Sequence, residues 1–222
     1  MPRTDAVLFD LDGTLCVHEQ DGEALLRETF ETLDIDPFTD QRRLREAITE
    51  APDADDTVSF LSNAFDIAAQ RAGAEPVPAD AVAETYLDRI DHTAVSFRDG
   101  AREAIASVGD RPVGLVTHGQ RAHQWQKLET LGLTDTFDTI VYGGETAPSK
   151  PSPEPFHTAL SDLGVEPASA IHVGNSLSDD VVGANRVGVR SVWVPTTVDR
   201  EERSTAEPAH TLDSLQKLPT IF

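Results

Sequence analysis

Ala6, Val7, Leu8 and Phe9 form an unbroken apolar run that stops at Asp10-Leu11-Asp12-Gly13-Thr14. A short run without polar alternation predicts a strand buried on both faces, and Gly-Thr behind it predicts a turn. From about position 19 to 93 the apolar positions recur at helical spacing instead. Ala24, Leu25, Phe30 and Leu33 mark one helix, with Asp21 as its N-cap. Leu44 and Ile48 mark a second, begun near Thr39 or Asp40, and Val58, Leu61, Phe65, Ile67 and Ala68 a third. A Gly- and Pro-containing break at 73–78 precedes a fourth, carried by Val82, Tyr86, Leu87 and Ile90. Four helices without an interleaved strand predict a small bundle inserted into another domain.

From Ser96 onward strand and helix patterns alternate. Helices are expected over 101–108, 120–131, within 151–163 and over 180–187. Strands are expected over 113–116, 139–142, 170–173 and 189–194, with a polar loop at 196–208 and a last short strand and helical turn within 211–218. Repeated strand–helix units imply a parallel sheet with helices on both faces. The predicted fold is therefore α/β: a doubly wound, Rossmann-like parallel core at 1–17 and 94–222, with an inserted α-helical bundle at 18–93.

Charge narrows the partners. The chain has 222 residues and a formal net charge of −21, which argues against nucleic-acid binding, since that relies on Lys and Arg at phosphates. Only three lysines occur, Lys127, Lys150 and Lys217, whereas arginines are plentiful. Such an acidic, lysine-poor composition resembles that of proteins from salt-loving archaea, where salt screens self-repulsion. The single cysteine, Cys16, excludes an internal disulfide and reads as a small buried filler. No signal-peptide pattern and no apolar run of membrane-spanning length is present, so a cytoplasmic protein without a membrane partner is expected.

Several predicted strands end in polar residues: Asp10 and Asp12; Thr117; and Asn175 with Asp179 and Asp180. Lys150, in Pro148-Ser149-Lys150-Pro151, joins them from a loop. Alone, the two acids of the first strand leave a metal site, a division of nucleophilic and proton-transfer work, or an ordinary surface turn open. In a doubly wound sheet, however, strand tips converge on one crevice. Acids, a hydroxyl and a lysine gathered there suit a metal-held phosphate: acids on Mg2+, lysine and hydroxyl on phosphate oxygens, and one free carboxylate attacking phosphorus.

The four segments resemble, in order, the four motifs of the haloacid dehalogenase superfamily: DLDGT at Asp10–Thr14, Thr117 after its apolar run, Lys150 in SKP, and GNSLSDD at Gly174–Asp180. The helical insert matches the position of the family's helical cap. The resemblance implies that Asp10 is the nucleophile, forming an aspartyl-phosphate. It implies that Asp12 protonates the leaving alcohol and then activates water, its backbone carbonyl lying on Mg2+. Thr117 and Lys150 hold the transferring phosphoryl group. Asp10, Asp12, Asn175 and Asp180 form the implied metal set, with Asp179, one residue out of register, in reserve.

Two departures stand out. Position 175 is Asn where the motif commonly has Asp, which removes one negative charge from the metal. His118 follows Thr117 where Asn is more usual, and is expected to cap the next helix rather than touch substrate. His172, inside a strand, is expected to be a satisfied core histidine, and Arg42, Arg43 and Arg45 a solvated helix face.

Within the family, Asp12 favours phosphate over halide chemistry, because a poor leaving alkoxide needs a proton and a halide does not. The absence of lysine between 16 and 95 removes Schiff-base phosphonate hydrolysis, which relies on a cap lysine. The expected activity is a Mg2+-dependent phosphatase acting on a small phosphorylated metabolite, as monomer or homodimer. Phosphoglycolate, sugar phosphates and nucleotides all remain open as substrates. The alternatives are a 2-haloacid dehalogenase or a catalytically weakened binding protein of the same fold.

Overall fold

The computed structural model describes residues 4–52, 54, 56–74, 76–197, 199–201 and 205–222. Position 75 of the predicted break, and positions 198 and 202–204 of the predicted polar loop, lie outside the described residues. The chain divides into two compact units, Gln20–Asp91 and the remainder, Met1–Glu19 with His92–Phe222.

The larger unit is built on β1 (Ala6–Phe9), whose four side chains are all fully buried. It lies between β4 (Val113–His118) and β6 (Ala170–Gly174) in a six-stranded sheet that also contains β5 (Thr139–Gly143), β7 (Arg190–Trp193) and β8 (His210–Thr211). The order is β5-β4-β1-β6-β7-β8, and every pairing is parallel. A central strand has neighbours on both edges and helices over both faces, so it has no position for a polar side chain until it ends.

Alternation sorts its residues between two cores. Val7 and Phe9 pack with α5 (Ala101–Ser107), α6 (Arg121–Leu131) and the C-terminal 3-10 turns Leu215–Ile221. Ala6 and Leu8 pack with α7 (Glu154–Leu163) and the short α8 (Val182–Arg186). Each large apolar side chain fully buried here contributes about 1.5–3 kcal/mol, so the strand carrying the acids is among the firmest parts of the unit. This is the expected doubly wound parallel α/β core.

The smaller unit holds α1 (Gly22–Leu33), α2 (Gln41–Glu50), α3 (Thr57–Ala72) and α4 (Ala79–Asp88) around Phe30, Phe38, Phe65 and Tyr86. Asp21 and Asp40 cap the first two helices through their side chains, accepting from the Glu23 and Arg43 amides. Gln20 joins the ends of the unit, donating to the Arg89 carbonyl and accepting from the Asp91 amide.

Three elements depart from the sequence pattern. Cys16–His18 and Val95–Phe97 form an antiparallel pair, β2–β3, at the two chain crossings into the smaller unit. β4 continues through Thr117 and His118, because both pair onward with Tyr142 and Gly143 of β5. The helix expected over 180–187 begins instead with a π-helical turn at Leu177–Val181, capped by the Ser176 hydroxyl, before α8 starts. That wide turn delivers Asp180 inward.

Candidate active site

β1 ends at Asp10, whose amide donates to the Val173 carbonyl of β6 at 3.0 Å. The Asp10 carboxylate is thereby fixed at the carboxyl edge of the central strand, and its Oδ1 accepts from Lys150 Nζ at 2.7 Å. The same ammonium donates to Asp180 Oδ1 at 2.6 Å. Asp180 is also held by His172 Nε2, 2.9 Å from Oδ1, and by the Ser176 amide, 3.0 Å from Oδ2. Gly174 makes room for it: a Cβ there would lie 2.2 Å from the Asp180 carboxyl carbon. Asp10, Lys150, His172 and Asp180 are all buried.

One cation between two buried acids has opposite effects on them. Burial pushes the Asp10 carboxyl up, and Asp180 adds to this against the pull of Lys150, leaving it at about 7. Burial also opposes ionisation of Asp180, but Lys150 and the His172 hydrogen bond outweigh it and hold that carboxyl well below the usual range. Lys150 is itself held above its ordinary value, because the two acids overcome its burial. Asp10 Oδ2 has no hydrogen bond among the described residues.

Asp12 has a separate set of partners. Lys127 Nζ, from α6, donates to both of its oxygens at 2.7 and 2.8 Å. Gln124 Nε2, one helical turn earlier, donates to Oδ2 at 3.0 Å and also to the His118 carbonyl. His18 Nε2 lies 3.1 Å from Oδ1, and Cys16 Sγ 3.7 Å from it. Burial pushes the Asp12 carboxyl up, but the His18 hydrogen bond and the Lys127 charge win and hold it far below the usual range. Cys16 is buried as expected, and burial and the Asp12 charge raise its thiol strongly, which keeps it protonated and unreactive.

The remaining predicted residues are placed as follows. Phe9 pairs with Leu115, so Thr117 sits at the tip of the strand adjoining Asp10. Its hydroxyl is fully buried and has no partner among the described residues. His118 does not cap α6, which corrects the sequence expectation: that helix starts at Arg121 with Gln120 at the N-cap and no side-chain cap, and His118 Nε2 is buried without a partner among the described residues. Burial and Lys150 lower the His118 imidazole to about 4, so it is neutral at physiological pH.

Asn175 lies against Gly13, whose φ of +79° suits glycine, and accepts from the Thr14 hydroxyl at 3.0 Å. Asp179 stays partly exposed while Asp180 is buried. Arg42 and Arg43 pair with Glu46 and Asp40 on an exposed face. His172 is a core histidine, but only half satisfied, since its Nδ1 has no partner among the described residues.

Lys127, Gln124 and His18 were absent from the predicted site. One signal for Lys127 did exist. Lysine occurs three times in this chain, and Lys217 is a surface residue paired with Asp213, whereas Lys127 and Lys150 are buried against the acids of the β1 tip.

Among the described residues, no group of three His, Cys, Asp or Glu side chains stands ready to hold a metal ion. The available donors are oxygens of mixed kind: the free Asp10 Oδ2, the Asp12 backbone carbonyl, and Asn175 Oδ1 and Asp180 Oδ2, each of which accepts one hydrogen bond and keeps a lone pair. An oxygen-only set beside a carboxyl that is costly to ionise fits a hard cation such as Mg2+. No described helix is long and apolar enough to cross a membrane.

Comparison with known proteins adds identity of type. A family profile described as haloacid dehalogenase-like hydrolase matches residues 7–194. The glyceraldehyde 3-phosphate phosphatase of Methanopyrus kandleri is 30% identical over 203 residues, covering 85% of this chain and 83% of that one. The ribulose-1,5-bisphosphate 5-phosphatase of Halopiger xanaduensis is 27% identical, covering 97% and 98%. The crystal structure of CbbY from Rhodobacter sphaeroides in complex with phosphate matches with a TM-score of 0.73 and 26% identity, over 97% of this chain and 96% of that one.

Proposed function

This chain belongs to the haloacid dehalogenase-like hydrolase family, and from that premise we propose a Mg2+-dependent phosphatase that hydrolyses a small phosphorylated sugar or related metabolite through an aspartyl-phosphate on Asp10. One observation carries the reading. Lys150 holds Asp10 at the end of the central strand, and the adjoining strand tip offers a buried Thr117 hydroxyl that lacks a partner among the described residues. A phosphoryl oxygen supplies the missing partner. The named substrates of the relatives, a triose phosphate and a sugar bisphosphate, support the substrate class.

In the first half-reaction Asp10 attacks phosphorus, the bond from phosphorus to the alcohol oxygen breaks, and the alkoxide takes a proton from Asp12. In the second, water attacks phosphorus, its proton goes to Asp12, and the bond to Asp10 breaks. Lys127 and His18 favour the ionised form of Asp12, which receives the proton from water, so the proton it passes to the alkoxide is first taken up from the incoming phosphate monoanion. Thr117 and Lys150 orient the phosphoryl oxygens. Asp180 holds Lys150 in place through Oδ1, and its Oδ2, which accepts one hydrogen bond from the Ser176 amide, keeps a lone pair. Bound Mg2+ would be held by Asp10, the Asp12 carbonyl, Asn175 and Asp180, and would supply charge neutralisation at the phosphoryl group.

The test is hydrolysis of p-nitrophenyl phosphate in molar KCl with and without Mg2+. Metal-dependent turnover that disappears in Asp10→Asn supports the reading. Absence of turnover at every salt and metal concentration, or turnover surviving in Asp10→Asn, contradicts it.

A further inference from the structure

Asn175 is the weak point of the implied metal site, because an amide replaces a carboxylate there. The structure brings a second acid to it. Asp199, 24 residues further on and just beyond β7, accepts from Asn175 Nδ2 through its Oδ2 at 3.0 Å. A carboxylate can only accept hydrogen bonds, so this contact forces the nitrogen end of the amide towards Asp199. The oxygen end is thereby turned to the Thr14 hydroxyl and the acidic turn.

The segment carrying Asp199 is also anchored. The Thr196 amide donates to the same Asp199 oxygen at 2.7 Å. Arg98 binds the carbonyls of Val194 and Pro195 with the same guanidinium that binds the Gly13 carbonyl of the acidic turn. Trp193 Nε1 fixes the Asn175 carbonyl at 2.6 Å.

We propose that Asp199 is a positioning residue for the metal site: acting through Asn175, it fixes the amide oxygen as the ligand end and restores nearby the negative charge that position 175 lacks. This inference rests on the Mg2+-dependent reading above. Residues that orient a metal ligand typically change affinity by about 10–100-fold when replaced.

The test is calorimetric titration of Mg2+ into the full chain in molar KCl, with folding followed by circular dichroism. Four proteins are compared: wild type, Asp199→Asn, Asn175→Asp, and the swap Asn175→Asp with Asp199→Asn. The proposal expects Asp199→Asn to weaken Mg2+ binding by about 10-fold. The swap, which keeps the hydrogen bond with its polarity reversed and moves the carboxylate to position 175, should recover at least wild-type affinity. Asn175→Asp alone places two carboxylates in contact and should unfold at lower temperature than the swap when Mg2+ is absent.

Unchanged affinity in a folded Asp199→Asn overturns the proposal, as does a swap that fails to recover binding should Asp199→Asn itself not fold. Wild type that neither binds Mg2+ nor turns over aryl phosphate removes the functional reading, and the inference with it. Wild type that binds Mg2+ while Asp199→Asn binds equally well removes the inference alone.

Discussion

Asp10 and Asp12 lie two residues apart at the end of one strand, each 2.7 Å from a lysine ammonium, and their surroundings drive them in opposite directions. On the Asp10 side, one lysine is shared with a second buried acid, and the Asp10 side chain is 8% exposed. On the Asp12 side, the lysine serves one acid, reinforced by Gln124 and His18, and the carboxylate is 33% exposed. Asp10 is left reluctant to ionise and Asp12 is held ionised. A lysine beside an aspartate therefore says little until the number of acids per cation and the access of water are counted.

Breaking the Asp10 side should give the largest effects. Asp10→Asn should lower kcat on aryl phosphate by more than about 10⁴-fold, the scale of nucleophile removal, while the melting temperature holds or rises because one buried charge is gone. Lys150→Met should strand two buried acids without their cation and lower stability by about 3–5 kcal/mol, read from urea unfolding.

Breaking the Asp12 side should cost less stability and still cost activity. Lys127→Met removes two hydrogen bonds from a partly exposed carboxylate, so its stability loss should be clearly smaller than that of Lys150→Met. Its kcat should fall at least about 10-fold, since Asp12 moves the proton in both half-reactions. Equal stability losses for the two lysine variants would contradict the contrast.

pH sharpens the comparison further. In the metal-free protein Asp10 keeps its proton up to about 7, whereas the ordinary value is 3.8. Between those values the native state binds a proton that the unfolded state has released, so this group's contribution to stability is full below the ordinary value and lost as pH rises towards 7. Asp12 and Asp180 behave oppositely: their contribution is present above the ordinary carboxylate range and is lost as pH falls below it. The neutral His118 and His172 gain stability over the same range, so the Asp10 contribution is read as a difference: in the Mg2+-free protein, wild type should lose melting temperature relative to Asp10→Asn as pH rises from 5 to 7.

Much of this arrangement was legible in the sequence, for identifiable reasons. β1 announced itself because a strand buried on both faces allows no polar residue before its tip, and the caps Asp21 and Asp40 because their side chains act on neighbouring amides. Thr117, Lys150 and Asn175 could be named because they follow apolar runs or a Pro-rich loop in a fixed order. The β2–β3 pair was not legible: three residues give no period, and its strands are separated by the whole smaller unit. Lys127 was hidden because it sits on a helix among polar neighbours, where lysine ordinarily faces water; only the register of α6 against the β1 tip turns it inward. Asp199 was hidden for a related reason, since a polar acidic loop gives no sign of which acid folds back on Asn175.

The central contrast is measurable directly. Carbon-13 carboxyl shifts of the aspartates, followed by NMR from pH 2 to 9 in the Mg2+-free protein and assigned with Asp10→Asn and Asp12→Asn, report each ionisation separately. The account predicts that the Asp10 signal titrates near 7 and that the Asp12 signal stays that of a carboxylate well below pH 4. Two aspartates titrating together near 4 would contradict it.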